Sequence, residues 1–260
     1  SDPDADRVGA AVKNNEGEWV LLNGNQTALM FVYYLITRWK ELGKINGKEY
    51  IVKTIVTTET IKTIAERNGV EMYDVYTGFK WIANVMRENE GKKNYIGGGE
   101  ESYGFLCEDF VRDKDAVSAC VILAEIAAWA KDQGLSLYQL LQKIYVEYGF
   151  SKEKGISVVK KGKSGAEEIE AMMKKFRENP LTEIAGSKVT YFYDYSTLKG
   201  KDYAENETVT LDMPTTSNVL QYFTEDNTKV SIRPSGTEPK IKFYCEVHSK
   251  VKNIDELPEA

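Results

Sequence analysis

The chain opens on an acidic stretch, Ser1–Arg7, with the sequence Ser-Asp-Pro-Asp-Ala-Asp-Arg. Its carboxylates, Asp2, Asp4 and Asp6, alternate along the chain, so they can face one point if the segment forms a tight loop. Hard oxygen ligands of this kind suit Mg²⁺. Arg7 follows directly and places a planar cation where it can contact an anionic phosphate. These residue types predict a magnesium site beside a phosphate group.

Two simpler interpretations of this stretch are a solvated coil and a calcium-binding EF-hand loop. An Asp-rich segment at a terminus is more often coil than a metal site. An EF-hand loop needs Gly at its sixth position and Glu at its twelfth. Counted from Asp2, these positions hold Arg7 and Lys13, which excludes the EF-hand. Partners elsewhere in the chain must decide between coil and a metal loop.

A glycine-rich loop, Gly99–Gly104, has residue types that suit a sugar ring. Glu100 and Ser102 are two residues apart, so in an extended loop they point to the same side and can bind adjacent hydroxyl groups. The glycines allow the backbone to approach the ring. The alternative for this loop is a mobile surface connection.

A second loop, Arg233–Lys240, has residue types that suit a phosphate. Arg233 offers a fork of donors, while Ser235 and Thr237 offer hydroxyl groups. The backbone amides at Gly236 and Thr237 can point in the same direction and form an anion-binding nest. Two prolines stiffen the loop. The alternative is an ordinary polar hairpin turn.

Composition excludes several classes of function. The 260 residues are 42% hydrophobic and 28% charged, which is typical of a globular protein with a sizeable core. A net charge of −6 argues against a nucleic-acid partner, and no run reaches the apolar length of a membrane helix. The 3 cysteines lack Cys-x-x-Cys spacing, which argues against zinc and disulfides and favours a reducing, cytoplasmic location. His248, the only histidine, is predicted near a strand end rather than in a catalytic triad.

Strand and helix patterns alternate in the region that carries the sugar loop. Strands are predicted at Tyr50–Val56, Val70–Val75 and Lys93–Ile96, with helices between them that end near Asn68 and Glu90. This order predicts a mixed or mostly parallel sheet with right-handed crossovers. Loops that follow the strands of such a sheet share one edge, where ligands bind. The loops at 57–58, 77–80 and 97–104 are therefore expected to converge.

The flanking regions complete the predicted α/β fold. A hairpin (Val8–Leu22) and a helix (Thr27–Glu41) precede the alternating region, and helices at about 113–133 and 136–147 follow it. Residues 149–165 are predicted to be a linker with one short strand, Ile156–Val159. A helix at 166–178 is followed by strands at 188–193, 208–211, 218–223, 229–232 and 240–247. The prediction is a three-layer α/β domain followed by a smaller α+β domain with an antiparallel sheet.

The acidic stretch, the Gly-Glu-Glu-Ser-Tyr-Gly loop and the Arg-Pro-Ser-Gly-Thr-Glu-Pro-Lys loop together resemble the metal, sugar and phosphate loops of the α-D-phosphohexomutases. The likeness is to the phosphoglucomutase and phosphomannomutase branch, and three such motifs in order are highly specific. The resemblance implies the C-terminal half of a four-domain enzyme. Residues 1–22 would be the tail of its second domain, 23–149 its third domain and 150–260 its fourth.

The resemblance also implies a role for each candidate residue. Asp2, Asp4 and Asp6 would hold Mg²⁺, while Arg7 and Lys114 would lie near the reacting group. The implied substrate-binding residues are Glu100 and Ser102 at the sugar hydroxyls, Thr77, Gly78 and Lys80 in the loop that reads the sugar's orientation, and Arg233, Ser235, Gly236 and Thr237 at the non-reacting phosphate.

The implied reaction interconverts a hexose 1-phosphate and a hexose 6-phosphate, with glucose phosphates favoured. A phosphoserine gives its phosphoryl group to the substrate, the resulting glucose 1,6-bisphosphate reorients, and the other phosphate returns to the serine. The family's serine loop, a Thr-Ala-Ser-His-Asn-Pro type of stretch, does not occur in the 260 residues. We expect it in a missing N-terminal half, and we expect this chain alone to be inactive.

Two other functions would use the same features. A non-catalytic phosphosugar-binding module would need the same loops, and the parent reading frame would distinguish it from an enzyme by the presence of a serine loop. A Mg²⁺-dependent phosphatase of the Asp-x-Asp type needs its nucleophilic aspartate at the end of a buried apolar strand, and no such strand precedes Ser1 here.

Overall fold

The computed structural model describes residues 1–160, 162–236 and 238–257. The chain forms two compact units, one of Ser1–Phe150 with the segment from Ser249 onward, and one of Ser151–His248. The helices are α1 (Gly24–Glu41), α2 (Thr60–Arg67), α3 (Phe79–Asn89), α4 (Ala116–Asp132), α5 (Leu137–Tyr148) and α6 (Gly162–Glu178), with a 3-10 helix at Ile254–Glu256. The strands are β1 (Ala10–Lys13), β2 (Trp19–Leu22), β3 (Glu49–Thr54), β4 (Glu71–Val75), β5 (Asn94–Gly99), β6 (Phe105–Cys107), β7 (Phe150–Val159), β8 (Glu183–Ile184), β9 (Ser187–Asp194), β10 (Lys199–Asp202), β11 (Glu207–Thr210), β12 (Leu220–Thr224), β13 (Lys229–Pro234) and β14 (Lys240–Ser249).

The first unit contains a mixed sheet in the order β4-β3-β5-β6. β3 pairs in parallel with both β4 and β5, and β6 runs antiparallel to β5. Every residue of β3 is buried, as expected for a central strand covered on both faces. The carboxyl ends of β3, β4 and β5 therefore share one edge of the sheet, which the sequence predicted. β1 and β2 form a separate antiparallel hairpin.

Helices cover both faces of this sheet and make three layers. On one face α1 contacts β5, α2, α4 and α5, and its side chains are buried over nearly the whole of residues 24–36. On the other face Phe79, Ile82 and Met86 of α3 pack in a cluster with Tyr50 and Val52 of β3. Alternate residues of a strand point to opposite faces, so β3 contributes to both cores.

The glycine-rich loop is shorter than predicted because β5 continues through Gly99. A Cβ atom at Gly98 would lie 2.3 Å from the Val52 carbonyl oxygen, and one at Gly99 would lie 2.5 Å from the Phe105 ring. Only glycine allows this close approach. The same glycines make the segment look like a loop in the sequence, and the short strand β6 was missed altogether.

The second unit is an antiparallel sheet in the order β11-β10-β9-β12-β13-β14-β7, with β8 paired to β9. Ile169 and Met173 of α6 pack on one face of this sheet. The predicted linker at 149–165 is wrong in extent, because residues 150–159 form β7, which includes the predicted short strand Ile156–Val159, and α6 begins at Gly162. β7 is a lysine-bearing edge strand with mostly exposed side chains, so it lacks the apolar alternation that marks a buried strand.

Side-chain caps begin α4 and α5 in the first unit, whereas α2 begins after Glu59 without a side-chain cap. Asp115 caps α4, and Ser136 forms a capping box with Gln139 at the start of α5.

The exposed face of α4 includes Val117 and Val121, whose side chains are 68% and 62% exposed. Within the described part of the chain, no helix has both the length and the apolar character needed to span a bilayer.

Candidate functional site

The loops at the carboxyl edge of the first sheet are joined through Glu100. Its Oε1 accepts a hydrogen bond from the backbone N–H of Gly78 at 2.7 Å, and its own N–H donates to the Gly104 carbonyl at 2.9 Å. Glu100 is only 5% exposed. Gly78 has a φ of 117°, which favours glycine at the turn that begins α3. The sugar loop and the Thr77–Lys80 loop therefore meet, as predicted.

The acidic stretch lies against the sugar loop. Arg7 forms an isolated antiparallel bridge with Gly104, and the Val8 N–H donates to the Tyr103 carbonyl at 3.1 Å. The Ala5 carbonyl accepts a hydrogen bond of 3.0 Å from the first amide of α4. The backbone thus places the predicted metal loop, the sugar loop and the start of α4 side by side.

The carboxylates of the acidic stretch have different surroundings. Asp2 Oδ1 accepts hydrogen bonds from the backbone N–H groups of Asp6 and Arg7, both at 3.2 Å. Loss of hydration opposes ionisation of Asp2, but the N–H donors of Arg7 and Asp6 together lower its pKa below the ordinary value. Asp4 is exposed, whereas Asp6 is half-buried. Asp2 therefore shapes the loop, while Asp4 faces solvent.

Asp6 forms an ion pair with Lys114. The Lys114 ammonium lies 2.7 Å from Asp6 Oδ2 and 3.4 Å from an Asp113 oxygen. It also lies 5.9 Å from the centre of the Phe79 ring. Burial alone would lower the pKa of Lys114, but the carboxylates of Asp6 and Asp113 outweigh burial and raise it. Lys114, predicted to lie near the reacting group, is thus a cation beside the acidic stretch.

The fit of the acidic stretch to Mg²⁺ depends on its oxygen atoms. Asp6 Oδ1 is buried and accepts no hydrogen bond from the residues that the structure describes. A carboxylate oxygen that accepts no hydrogen bond suits a hard cation, although the Arg7 guanidinium already lies 3.7 Å from it. Across residues 1–160, 162–236 and 238–257, however, no three Asp, Glu, His or Cys side chains gather closely enough to hold a metal ion. The donor chemistry fits Mg²⁺, and joint binding by Asp2, Asp4 and Asp6 stays a prediction.

The remaining predicted residues of the first unit border the same edge. Thr77 and Ser102 are half-buried, while Lys80 is exposed. The Lys80 ammonium lies 5.0 Å from the centre of the Trp81 ring, a cation–π distance. The hydroxyl groups of Thr77 and Ser102 and the ammonium of Lys80 are therefore available to a polar ligand.

The predicted phosphate loop of the second unit joins β13 to β14. The Ser235 N–H donates to the Lys240 carbonyl at 2.8 Å, and the Glu238 N–H donates to Ser235 Oγ at 3.3 Å. A Cβ atom added at Gly236 would have no atom within 4 Å, so this position faces open space. Thr237 lies outside the described residues. The loop is a compact turn closed by its own backbone.

Arg233 has a basic neighbour that the sequence interpretation missed. It lies directly opposite Lys242 in the antiparallel register of β13 and β14. Like charges in this position repel each other unless an anion neutralises them. No ion pair joins either side chain to a carboxylate of the described residues. An antiparallel alignment of the two predicted strands in the sequence could have identified Lys242 as the residue opposite Arg233.

The start of α1 was also missed as part of the site. The helix was predicted to begin at Thr27, whereas α1 begins at Gly24. Asn23 and Gln26 form a capping box in which each side chain binds the other's backbone N–H at 2.9 Å. An Asn and a Gln three residues apart are a recognisable start signal.

Two family profiles match the chain. Residues 23–148 match "Phosphoglucomutase/phosphomannomutase, alpha/beta/alpha domain III", and residues 157–259 match "Phosphoglucomutase/phosphomannomutase, C-terminal domain". A phosphoglucomutase of Staphylococcus aureus (strain USA300) is 38% identical over 259 residues, which cover 100% of this chain and 46% of the relative. The chain thus spans about half the length of the curated relatives it matches.

Solved structures share the fold. The phosphoglucomutase pp63/parafusin of Paramecium has a TM-score of 0.63 at 16% identity, over 99% of this chain and 41% of that one. An N-acetylphosphoglucosamine mutase of Aspergillus fumigatus, in complex with GlcNAc-6P and magnesium, has a TM-score of 0.53 at 13% identity, over 98% of this chain and 49% of that one. These structures support the fold, and the two profile matches decide the family. The chain belongs to the phosphoglucomutase/phosphomannomutase family.

Proposed function

We propose that this chain is the C-terminal part of a Mg²⁺-dependent mutase that interconverts hexose 1-phosphate and hexose 6-phosphate through a phosphoserine and a bisphosphate. Residues 1–22 would end its second domain, 23–149 would form the third and 150–260 the fourth. The observation that carries the proposal is the meeting of Glu100, Gly78, Asp6 and Lys114 at one edge of the first sheet.

The first unit would bind the sugar. Glu100 keeps a buried carboxylate beside the Gly78 amide, so its second oxygen can accept a hydrogen bond from a ring hydroxyl. Ser102 follows on the same loop, and Thr77 and Lys80 border it from the next one. Glucose 1-phosphate and glucose 6-phosphate are the substrates we propose, with glucose 1,6-bisphosphate as the intermediate.

The second unit would bind the phosphate that does not react. Arg233, Ser235, Gly236 and Thr237 would provide a guanidinium, hydroxyls and backbone amides for it. A guanidinium with backbone amides holds a phosphate through charge-assisted hydrogen bonds. Such a site can hold either phosphate of a bisphosphate, which a reorienting intermediate requires.

Phosphoryl transfer depends on positioning and on neutralising charge rather than on covalent chemistry by the chain. Asp2, Asp4 and Asp6 would hold Mg²⁺, which the Aspergillus fumigatus relative contains. When bound, the ion would offset negative charge on the transferring phosphoryl group. Arg7 and Lys114 would contribute fixed cations to the same region. Arg7 pairs with Gly104 of the sugar loop, and Lys114 forms an ion pair with Asp6 next to it.

The phosphate claim can be tested by calorimetric titration of the chain with glucose 1,6-bisphosphate. Arg233→Ala should weaken binding at least tenfold, because a charge-assisted bond to phosphate is worth about 1.5–3 kcal/mol. Arg87→Ala, which removes an exposed arginine from α3, is the control and should bind as the parent chain does. Equal affinities for all three proteins would contradict the assignment of the phosphate loop.

The activity of the chain by itself is a separate question. Because the 260 residues contain no serine loop of the family type, we propose that the purified chain does not turn over glucose 1-phosphate. A coupled assay for glucose 6-phosphate should give a rate equal to that of a buffer blank. Turnover that persists after repurification, and that Glu100→Gln removes, would show the proposal to be wrong.

A further inference from the structure

The first turn of α1 lies directly against the sugar loop. A Cβ atom at Gly24 would lie 2.0 Å from the Glu101 carbonyl oxygen and 2.7 Å from the Tyr103 backbone nitrogen. Both contacts are with backbone, so a rotated side chain cannot relieve them. Any larger residue at this position must displace the loop or the helix. Gly24 therefore fixes the distance between α1 and the segment Glu101–Tyr103.

The next residue of α1 holds a second loop at the same edge. Asn25 is 8% exposed, and its Oδ1 accepts a hydrogen bond of 2.9 Å from the backbone N–H of Thr58. Thr58 is itself buried, and it begins the turn that leads into α2. Loss of this acceptor would leave a buried N–H without its bond to Asn25, which disfavours the present position of the Thr58 loop.

The two loops are also joined to each other. Thr54 Oγ1 lies 2.8 Å from Thr57 Oγ1 and donates to Glu101 Oε2 at 3.3 Å. Thr54 and Thr57 are fully buried. Movement at Asn25 therefore reaches the sugar loop through the threonines, and movement at Gly24 reaches it directly.

We propose that Gly24 and Asn25 are positioning residues for sugar recognition. This inference rests on the proposed function of Glu100 and Ser102, which flank the residue that Gly24 contacts. Neither Gly24 nor Asn25 belongs to the loops that resemble the family's motifs. Displacement of a binding group by about 1 Å can reduce a rate or affinity about a hundredfold. The contacts of α1 are thus close enough to control how well the loop recognises ring hydroxyls.

The test compares two ligands by NMR titration of the chain. Glucose 1-phosphate presents ring hydroxyls, whereas hexyl phosphate presents only a phosphate and an alkyl chain. Gly24→Ala should reduce the preference for glucose 1-phosphate at least tenfold and leave the affinity for hexyl phosphate unchanged. Gly9→Ala is the matched control, because a Cβ atom at Gly9 has no atom within 4 Å and its φ lies outside the range that favours glycine.

Asn25 provides an independent variant if Gly24→Ala does not fold. Asn25→Ala should lose the sugar preference, while Asn25→Asp keeps an acceptor for Thr58 and should retain it. An unchanged preference in both alanine variants, or an equal loss of affinity for both ligands, would overturn the inference. If the parent chain itself shows no preference for the sugar, the proposed role of Glu100 and Ser102 fails. If the parent chain shows the preference and both alanine variants keep it, the inference alone fails.

Discussion

The ammonium nitrogen of Lys114 lies 2.7 Å from Asp6 Oδ2, so a residue two positions before α4 neutralises a carboxylate of the acidic stretch. The side chains are 16% and 27% exposed, which places the pair between a surface salt bridge and a buried one. Because the pair spans residues far apart in the sequence, it holds the acidic stretch to the body of the first unit. The resemblance implied that Asp6 holds Mg²⁺ and that Lys114 lies near the reacting group.

Replacement of Lys114 by methionine should destabilise the first unit. The variant keeps much of the apolar stem but leaves the half-buried Asp6 with only the more distant Arg7 as a cation, so we expect the free energy of unfolding to fall by about 1 kcal/mol. Urea unfolding followed by tryptophan fluorescence measures this change. Lys143→Met is a control, since Lys143 is exposed on α5 and has no carboxylate partner among the described residues. Equal effects of the two substitutions would mean that the ion pair contributes nothing.

The same substitution should strengthen Mg²⁺ binding. Lys114 competes with any other cation for Asp6, so its removal should raise the Mg²⁺ affinity severalfold, whereas Asp6→Asn should remove measurable binding. Calorimetric titration with magnesium chloride at constant ionic strength reports both changes. Retention of full Mg²⁺ affinity by Asp6→Asn would exclude Asp6 from the metal site.

Stability at acid pH should depend on Glu49. Its Oε2 accepts hydrogen bonds from the backbone N–H groups of Asn46, Gly47 and Lys48, and its Oε1 accepts one from the Asn94 side chain. Burial would raise the pKa of Glu49, but the hydrogen bonds from Asn46, Asn94 and Gly47 outweigh burial and lower it below the ordinary value of 4.5.

A lowered pKa in the folded state means that folding favours the ionised carboxylate of Glu49. Its contribution is therefore complete above the ordinary pKa of 4.5 and disappears as the pH falls through the lower, folded-state pKa. Glu49→Gln should cost about 1 kcal/mol at neutral pH, and the difference from the parent chain should shrink below about pH 4.5. A difference that stays constant down to pH 3 would show that ionisation of Glu49 is not involved. Urea unfolding at a series of pH values provides the data.

Individual strands and helices could be predicted from the sequence, because each depends mainly on residues close together in the chain. Residues 49–54 carry β-branched side chains and residues 137–148 follow a capping serine, and both elements lie within a few residues of the predicted bounds. The convergence of three loops followed from strand order alone. The like-charged pair of Arg233 and Lys242 depends on strand register, and the fit of Gly24 to the sugar loop depends on tertiary contact. Neither leaves a periodic signal in a single sequence.

The strand β7 shows a different reason for failure. Phe150–Val159 carries Lys152, Glu153 and Lys154 and exposes most of its side chains, as suits an edge strand that charge protects from aggregation. Such a strand has the composition of a linker. The glycines of β5 had a similar effect. They predicted a loop, but they belong to a buried strand that needs them for close packing.

Gly98 lies within β5, and we predict that any side chain at this position destabilises the first unit. A Cβ atom there would lie 2.3 Å from the Val52 carbonyl oxygen and 2.8 Å from Tyr95 Oη. Gly98→Ala must push β5 away from β3, and we expect a loss of about 2–3 kcal/mol in the free energy of unfolding.

Gly155→Ala is the matched control, because Gly155 also lies in a strand but a Cβ atom there has no atom within 4 Å. Thermal unfolding should show a large drop in midpoint for the first variant and little change for the second. Because Glu100 follows β5 directly, Gly98→Ala should also weaken glucose 1-phosphate binding, and a variant with normal stability and normal binding would contradict the close approach of these two strands.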